Sequence, residues 1–542
     1  MRTTHALLAA LAVAEASIQP SRPFRDPRQW RPKHKGGWWK PDHTIPWDHP
    51  SRASSTLTPT AIPTDLPLVD SAALQAAIGI ATLSDKAHEL EDAAYSTPDR
   101  NRVMSSLGHN DTIDLITSYL DKHADYFTYE VQPLIALYSQ SSGNLTVDGE
   151  EQGAEPFSYT PSGDVSAPFV AVANLGCNAS DYPAEVAGNI ALISRGTCPF
   201  GLKSSLAGAA GAEAAVIYNN APGPIGGGTL GEPTEELNGY VVTVGIAQEN
   251  GTAILAALET GDFTGVLMVD AIMENRTTYN VVADTISGDH NNILAVGAHS
   301  DSVYAGPGIN DDGSGLVGIL EVAEQLSSYK INNAVRFGWW SGEEFGLLGS
   351  EYYVSTLNAS EQAKVRLYLN FDMIASPNYY YAIYDGDGSA FNVTGPAGSA
   401  EAEIFFEDYF DFRGLNHTPT EFDGRSDYGP FLDAGIASGG LFTGAEVEKT
   451  EEQVEQFGGV AGVAFDANYH DAGDNYDNLN FEAFLVNTQA IAAAVAEYST
   501  SFGSLPAASG TRRSVKTRDV RKRQHVHSHA SHKGSCGFAA ES

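Results

Sequence analysis

Residues 293–315 read ILAVGAHSDSVYAGPGINDDGSG. The run begins as uninterrupted apolar residues, the pattern of a strand covered on both faces, and turns polar at His299. A glycine-rich turn follows, then the helical spacing of LVGILEVAEQL from Leu316. Two further runs repeat the pattern: AVRFGWW (334–340) ends in Ser341-Gly342-Glu343-Glu344, and VRLYLNF (365–371) ends in Asp372. A fourth piece, ANYHDAGD (467–474), adds Tyr469 and His470. In open α/β sheets ligands gather beyond the carboxyl ends of the strands, which is where these polar residues fall. The expected fold is therefore α/β, a mixed and mostly parallel sheet with helices on both faces.

Taken singly, a His-x-Asp pair, an Asp-Asp turn or a Glu-Glu pair is usually a solvated loop. Together they have the composition of a two-cation site. The turn GPGINDDGSG has no lysine for a phosphate, so a P-loop is excluded. Two divalent ions roughly 3.5 to 4 Å apart need imidazole and carboxylate donors, and they make a shared water acidic enough to attack at neutral pH. His299 and Asp372 can hold one ion, Glu344 and His470 the other, with Asp311 or Asp312 between them. Asp301 lies two residues beyond His299 on the same strand face and can orient its imidazole. Glu343 must point away from its neighbour Glu344, free to act as general base. Tyr469 can donate to a developing oxyanion. Zinc is the expected metal, and cobalt or manganese would satisfy the same donors.

The 542 residues exceed one ordinary core, so more than one domain is expected. Residues 1–16 have the charge, apolar run and Ala14-Glu15-Ala16 site of a secretory signal. Residues 17–65 hold four of the six tryptophans among many prolines and read as a disordered leader or propeptide. Residues 506–542 form a basic tail with Lys522-Arg523 and four histidines, His525, His527, His529 and His532. Leu68 to about Tyr129 is helical in spacing, with Asn110 or Asp111 able to cap the second helix. From 132 to 274 the texture changes to short Val/Ile/Ala-rich strands broken by Gly and Pro. The catalytic domain is then expected from 66–131 and 275–505, with 132–274 as an insert.

The net charge of −37 is unevenly spread. Residues 61–510 hold 14 basic against 62 acidic residues, a net −48. A surface that acidic argues against nucleic acid and suits a cationic substrate group. No apolar run beyond the N-terminus is long enough to span a bilayer, so no membrane partner is expected. Eight sequons, at Asn110, Asn144, Asn178, Asn250, Asn275, Asn358, Asn392 and Asn416, suit an extracellular glycoprotein. In an oxidising compartment Cys177 and Cys198 would pair, leaving Cys536 in the tail.

The insert resembles the protease-associated domain: GNIALISRGTCPFGLKSSLAGAAGAEAAVIYNN follows that family's order of strand, Arg-Gly-x-Cys-x-Phe, helix and strand. The resemblance implies a module bordering a peptidase site. The rest resembles the co-catalytic di-zinc aminopeptidases, through His299-Ser300-Asp301, Pro307 to Gly315, Ser341 to Glu344, Asn370 to Met373 and Tyr469-His470. Within that group it is most similar to the secreted fungal leucine aminopeptidases carrying a protease-associated insert. The resemblance implies a zinc-peptidase sheet and the ligands His299, Asp311, Glu344, Asp372 and His470, with Glu343 as base. Peptide and protein N-termini would be the substrates of a monomer. GRSDYGPF (424–431) also matches, which makes Arg425 and Asp427 candidates for binding the N-terminal residue. Many relatives have cysteines around the last histidine, but FDANYHDAGD has none, so that loop must be held otherwise. Two competing readings stand beside the aminopeptidase. One is a carboxypeptidase, for which Arg425 is the available cation, or a glutaminyl cyclase, which would need only one zinc. The other is a non-catalytic binding protein, which should lack ligands.

Overall fold

The computed structural model describes residues 65–507, apart from Gly226, Gly227, Glu232, residues 234–236, Asn238 and Asp262. The expected signal, leader and basic His-rich tail lie outside the described residues. No helix among the described residues is long and apolar enough to cross a membrane.

Three helices come first. Asp70 caps Ser71–Ala77 by accepting from Ala73 N (2.9 Å). Ile80–Ala94 buries Leu83, Ala87, Leu90 and Ala94 at spacings of three and four. The third, Leu107–Lys122, starts earlier than the sequence suggested, because Ser106 accepts from His109 N (3.1 Å). Asn110 and Asp111 therefore lie inside the helix and are not its cap. Asn110 is 6% exposed, so this sequon is turned into the protein where no glycan fits. A sequon is read from three residues and is blind to the helix face that carries it.

The central sheet is mixed. Asp289–His299 is flanked in parallel by Asn333–Trp340 and by Val365–Phe371, which pairs in parallel with Ser438–Phe442. Ala382–Tyr384 runs antiparallel to the last of these and parallel to Thr418–Thr420. Alternate residues of the apolar runs point to opposite faces. Leu294, Val296, Leu367 and Leu369 pack with the helices Gly313–Leu326 and Phe481–Thr500, whereas Ala295, Val365 and Tyr368 pack on the other face with Tyr353 and Phe431. That two-sided burial is why these strands carry no polar alternation.

The insert grows out of the same sheet. Thr264–Thr285 pairs antiparallel with Asn333–Trp340 at its C-terminal end and with Phe127–Val147 along its length, from Phe127 opposite Thr285 to Val147 opposite Gly265. These two strands run through the expected boundaries at 131/132 and 274/275 without a break. Beyond them Gly163–Ala171, Ile190–Ser194, Ala214–Tyr218 and Val242–Ile246 form the parallel strands of the module. A disulfide joins Cys177 to Cys198.

Replacing Ser106 by Ala should lower unfolding stability by about 1 kcal/mol, and Ser106→Asp should restore most of it. Chemical denaturation of the three proteins at saturating zinc would check this, and equal midpoints for all three would refute the assignment of the cap.

Candidate metal centre and pocket

Four of the candidate residues leave the sheet at strand ends, and Asp311 and His470 stand on loops. His299 closes Asp289–His299, Glu343 and Glu344 follow Asn333–Trp340 through Gly342 at φ 78°, and Asp372 follows Val365–Phe371. Met373 (φ 57°) and His470 (φ 56°) hold left-handed backbone, which side chains with a Cβ adopt uncommonly. The turn after His299 supplies the choice between two carboxylates. Asp312 is fully buried and accepts the backbone N–H groups of His299 (3.0 Å), Gly315 (2.9 Å) and Met373 (3.0 Å). It ties two strand ends to a helix start. Asp311 faces the site instead, with Oδ1 3.1 Å from His299 Nε2 and Oδ2 3.1 Å from His470 Nε2.

Around Asp311 the other donors close in. Asp372 Oδ1 is 3.7 Å from His299 Nε2, and Glu344 Oε2 is 3.1 Å from His470 Nε2. Donor atoms of His299, Asp311 and Glu344 lie within 4.8 Å of one another. His299 Nδ1 donates to the Asp301 carbonyl (3.1 Å), so Nε2 is the nitrogen that can face a cation once its proton has left. The Asp301 carboxylate sits farther off, 3.6 Å from Nδ1, and accepts Glu343 N (3.2 Å). Asp301 thus touches both the imidazole and the Glu343 backbone. Glu343 Oε2 approaches His299 Nε2 no closer than 4.0 Å.

The charges do not balance among themselves. Glu343 Oε1, Glu344 Oε1 and Asp301 Oδ2 are buried and accept no hydrogen bond among the described residues. Buried carboxylate oxygens without donors are costly, and a cation is the partner this donor set fits. Burial raises the Glu343 carboxyl well above its ordinary range, with His299 opposing and Asp372 and Glu344 adding to it. Burial alone would lower both imidazoles. Asp372, Asp301 and Asp311 nevertheless lift His299 well above its usual value, and Glu344 and Asp311 bring His470 to about 10. A separate acidic group, Asp385, Asp387 and Glu403, has a different explanation: Asp385 and Glu403 accept backbone amides between Gly386 and Phe391.

Beside the donors opens a cavity of about 250 Å³. Met373, Tyr380, Tyr384, Phe442 and Phe465 supply apolar wall, and Asp311, Glu343, Asp372 and His470 lie on its metal side. Arg425 and Tyr469 also line it. Arg425 is engaged by Glu446 (Nη1 to Oε1, 2.9 Å) and donates to Tyr469 Oη (3.2 Å), whose ring stacks on His470 at 3.8 Å between centroids. Asp427 is buried behind this cavity, accepts from Ser350 Oγ (2.5 Å), and is raised by burial to about 7.

Several contributors were not singled out from sequence. Asp466 accepts from Asn310 Nδ2 (2.7 Å), and Asp474 accepts from Asn310 N (2.8 Å) and Asp311 N (3.0 Å). Asn478 Nδ2 reaches both carboxylates. This network fastens the cysteine-free His470 loop to the Asp311 turn. Ser426 donates to Asp372 Oδ2 (2.5 Å). The acidic residues bracketing Tyr469-His470 were the available signal for Asp466 and Asp474.

The sequence profile of peptidase family M28 matches residues 280–495, and that of the PA domain matches residues 165–254. The chain is 53% identical over 444 residues to probable leucine aminopeptidase 2 of Aspergillus fumigatus, covering 81% of this chain and 88% of that protein. It is 48% identical over 455 residues to leucine aminopeptidase 2 of Trichophyton rubrum, covering 84% and 90%. Among solved structures it resembles the aminopeptidase of Aneurinibacillus sp. strain AM-1, with a TM-score of 0.64 at 26% identity over 79% of this chain and 95% of that one. A zinc aminopeptidase from Bacillus subtilis gives 0.60 at 26%, covering 77% and 95%. The fold and site thus define a peptidase with a PA domain. The chain belongs to peptidase family M28.

Because His299 and His470 are held above their usual values, both carry protons at pH 7 when no cation is present, and binding must expel them. Zinc titration at pH 7 in buffers of different ionisation enthalpy should show net proton release, fading as pH rises through about 10 for His470. Heats independent of the buffer would refute this.

Proposed function

We propose that this peptidase is an exported aminopeptidase that removes leucine and other apolar residues from peptide N-termini, using two zinc ions and Glu343 as general base. The observation that carries the reading is Asp311, whose two oxygens each stand 3.1 Å from a different imidazole at the mouth of an apolar cavity. His299 and Asp372 would hold one zinc, Glu344 and His470 the other, and Asp311 both. Bound there, the ions would acidify a shared water and polarise the scissile carbonyl.

The chain's own groups then divide the work. Glu343 takes the proton from the attacking water and delivers it to the leaving amine. Burial, with Asp372 and Glu344 beside it, raises this carboxyl, the direction that strengthens it as a base. Burial keeps the Tyr469 phenol protonated, so that it can donate to the oxyanion. The apolar wall of Tyr380, Tyr384, Phe442 and Phe465 takes the N-terminal side chain, while Glu343 and Asp372 face the α-ammonium. A carboxypeptidase would need a cation free for a terminal carboxylate, and Arg425 is already paired with Glu446. Export is supported by the signal-like first 16 residues and by the exposed sequons at Asn178, Asn275, Asn358, Asn392 and Asn416.

Leucine p-nitroanilide should be hydrolysed and its N-acetyl derivative left intact, with 1,10-phenanthroline abolishing and zinc restoring the activity. Cleavage of the blocked substrate, or indifference to the chelator, would sink the reading. Glu343→Gln should retain both zinc ions by metal analysis yet lose about 10²- to 10⁴-fold in kcat. Near-normal turnover in that variant would remove Glu343 from the role of base.

A further inference from the structure

One buried cation is not used by the mechanism above. Arg102 lies in the connection between the helices Ile80–Ala94 and Leu107–Lys122, far from the site in sequence, and is 0% exposed. Its guanidinium donates to three backbone carbonyls instead of to a carboxylate. Nε reaches Pro307 O (2.9 Å), Nη2 reaches Gly308 O (2.6 Å) and Nη1 reaches Ser300 O. Ser300 directly follows His299, and Gly308 lies three residues before Asp311. The fork therefore grips both limbs of the excursion joining the two groups that meet at 3.1 Å.

Neighbouring residues of the same segment hold the excursion as well. Arg102 N donates to Ser302 Oγ (2.9 Å), Asn101 Nδ2 donates to Tyr304 O (3.1 Å), and His109 Nε2 lies 2.9 Å from Ser300 Oγ. Gly308, at φ 63°, packs so closely that a Cβ there would lie 2.2 Å from Asp311 O. Burying a guanidinium is expensive unless negative charge surrounds it. Here burial holds the guanidinium below its usual value, and Asp301, Asp312, Asp474 and Asp311 offset part of that cost. A planar fork with a permanent charge holds its donors at a fixed spacing across two chain limbs, more rigidly than a lysine ammonium on a flexible stem.

We propose that Arg102 is the positioning residue of the His299 and Asp311 half of the centre, fixing both limbs of the 300–308 loop so that imidazole and carboxylate converge before a cation binds. The inference rests on the metal reading of those two residues. Its loss should act on the bound ions and on turnover, with little effect on the pocket that takes the N-terminal side chain.

The test uses the full chain, with zinc competed against a chromophoric chelator, and kcat and KM measured on leucine p-nitroanilide. For Arg102→Met we expect zinc binding about 10- to 100-fold weaker, as for other residues that orient metal ligands. The same variant should show a lower kcat, KM within about twofold of wild type, and an altered absorption spectrum of the cobalt-loaded protein. Arg102→Lys should fall between Met and wild type. A folded Arg102→Met protein with wild-type zinc affinity, spectrum and kcat would overturn the proposal. Should neither Arg102 variant fold, Ser302→Ala, which removes the acceptor of the Arg102 N–H together with the hydroxyl's own bond to Gly306 O in the same loop, carries the test. Weakened zinc binding in that variant would support a loop fixed for the metal through its Arg102 contacts, and unchanged binding would overturn the proposal. A wild-type chain that takes up no zinc would overturn the metal reading and this inference with it.

Discussion

The Asp311 carboxylate, shared between His299 and His470, is the constraint from which the rest of the site follows. To place one carboxylate between imidazoles from two distant loops, the chain must fix both loops. It does so with further buried carboxylates, Asp312 under the His299 strand end and Asp474 under the Asp311 backbone. Each of these carboxyls accepts at least two backbone N–H groups, which offsets part of the cost of burying it. The accumulated negative charge is then too large for the protein to satisfy internally. Oxygens of Glu343, Glu344 and Asp301 are left without donors among the described residues, an arrangement whose cost a cation would relieve.

The parts legible in the sequence were those where local pattern and tertiary role coincide. Strands buried on both faces must read as apolar runs, so their polar terminal residues stood out at His299, Glu343, Glu344 and Asp372. Supporting residues were illegible for the opposite reason. Asp474 and Arg102 act by holding backbone groups remote in sequence and Asp466 by holding the Asn310 side chain, and the sequence around them does not say which distant group is the partner. The strand Phe127–Val147 was missed because Pro133 and Gly143 interrupt it and its burial alternates only weakly. Its 21 residues are defined by pairing with Thr264–Thr285, a non-local property. The third helix likewise began at a serine that a reader of apolar spacing passes over.

Arg425 shows how pairing alters the meaning of a residue. Alone at a pocket rim, a guanidinium advertises for a carboxylate. Held by Glu446 and directed at the Tyr469 phenol, it presents little free positive charge to a substrate and instead steadies the ring stacked on His470. The cavity combines the apolar wall of Tyr380, Tyr384, Phe442 and Phe465 with carboxylates, Glu343 and Asp372 beside the donors and Asp423 and Glu446 elsewhere on its lining, a combination that suits an ammonium group better than a carboxylate.

The insert meets this machinery through packing as well as through covalent connection. Its long ribbon continues the central sheet, and Tyr138 on that ribbon packs against Phe345, the residue after Glu344, and against Tyr304, three residues after Asp301. Tyr304 Oη also donates to Ser139 O (2.7 Å). These ring pairs add to the burial between ribbon and site, and they set Tyr138 against the residue that directly follows Glu344. In this chain the domain boundary visible in the sequence is not a mechanical boundary, since the sheet crosses it and the rings on the far side brace a residue of the candidate metal centre.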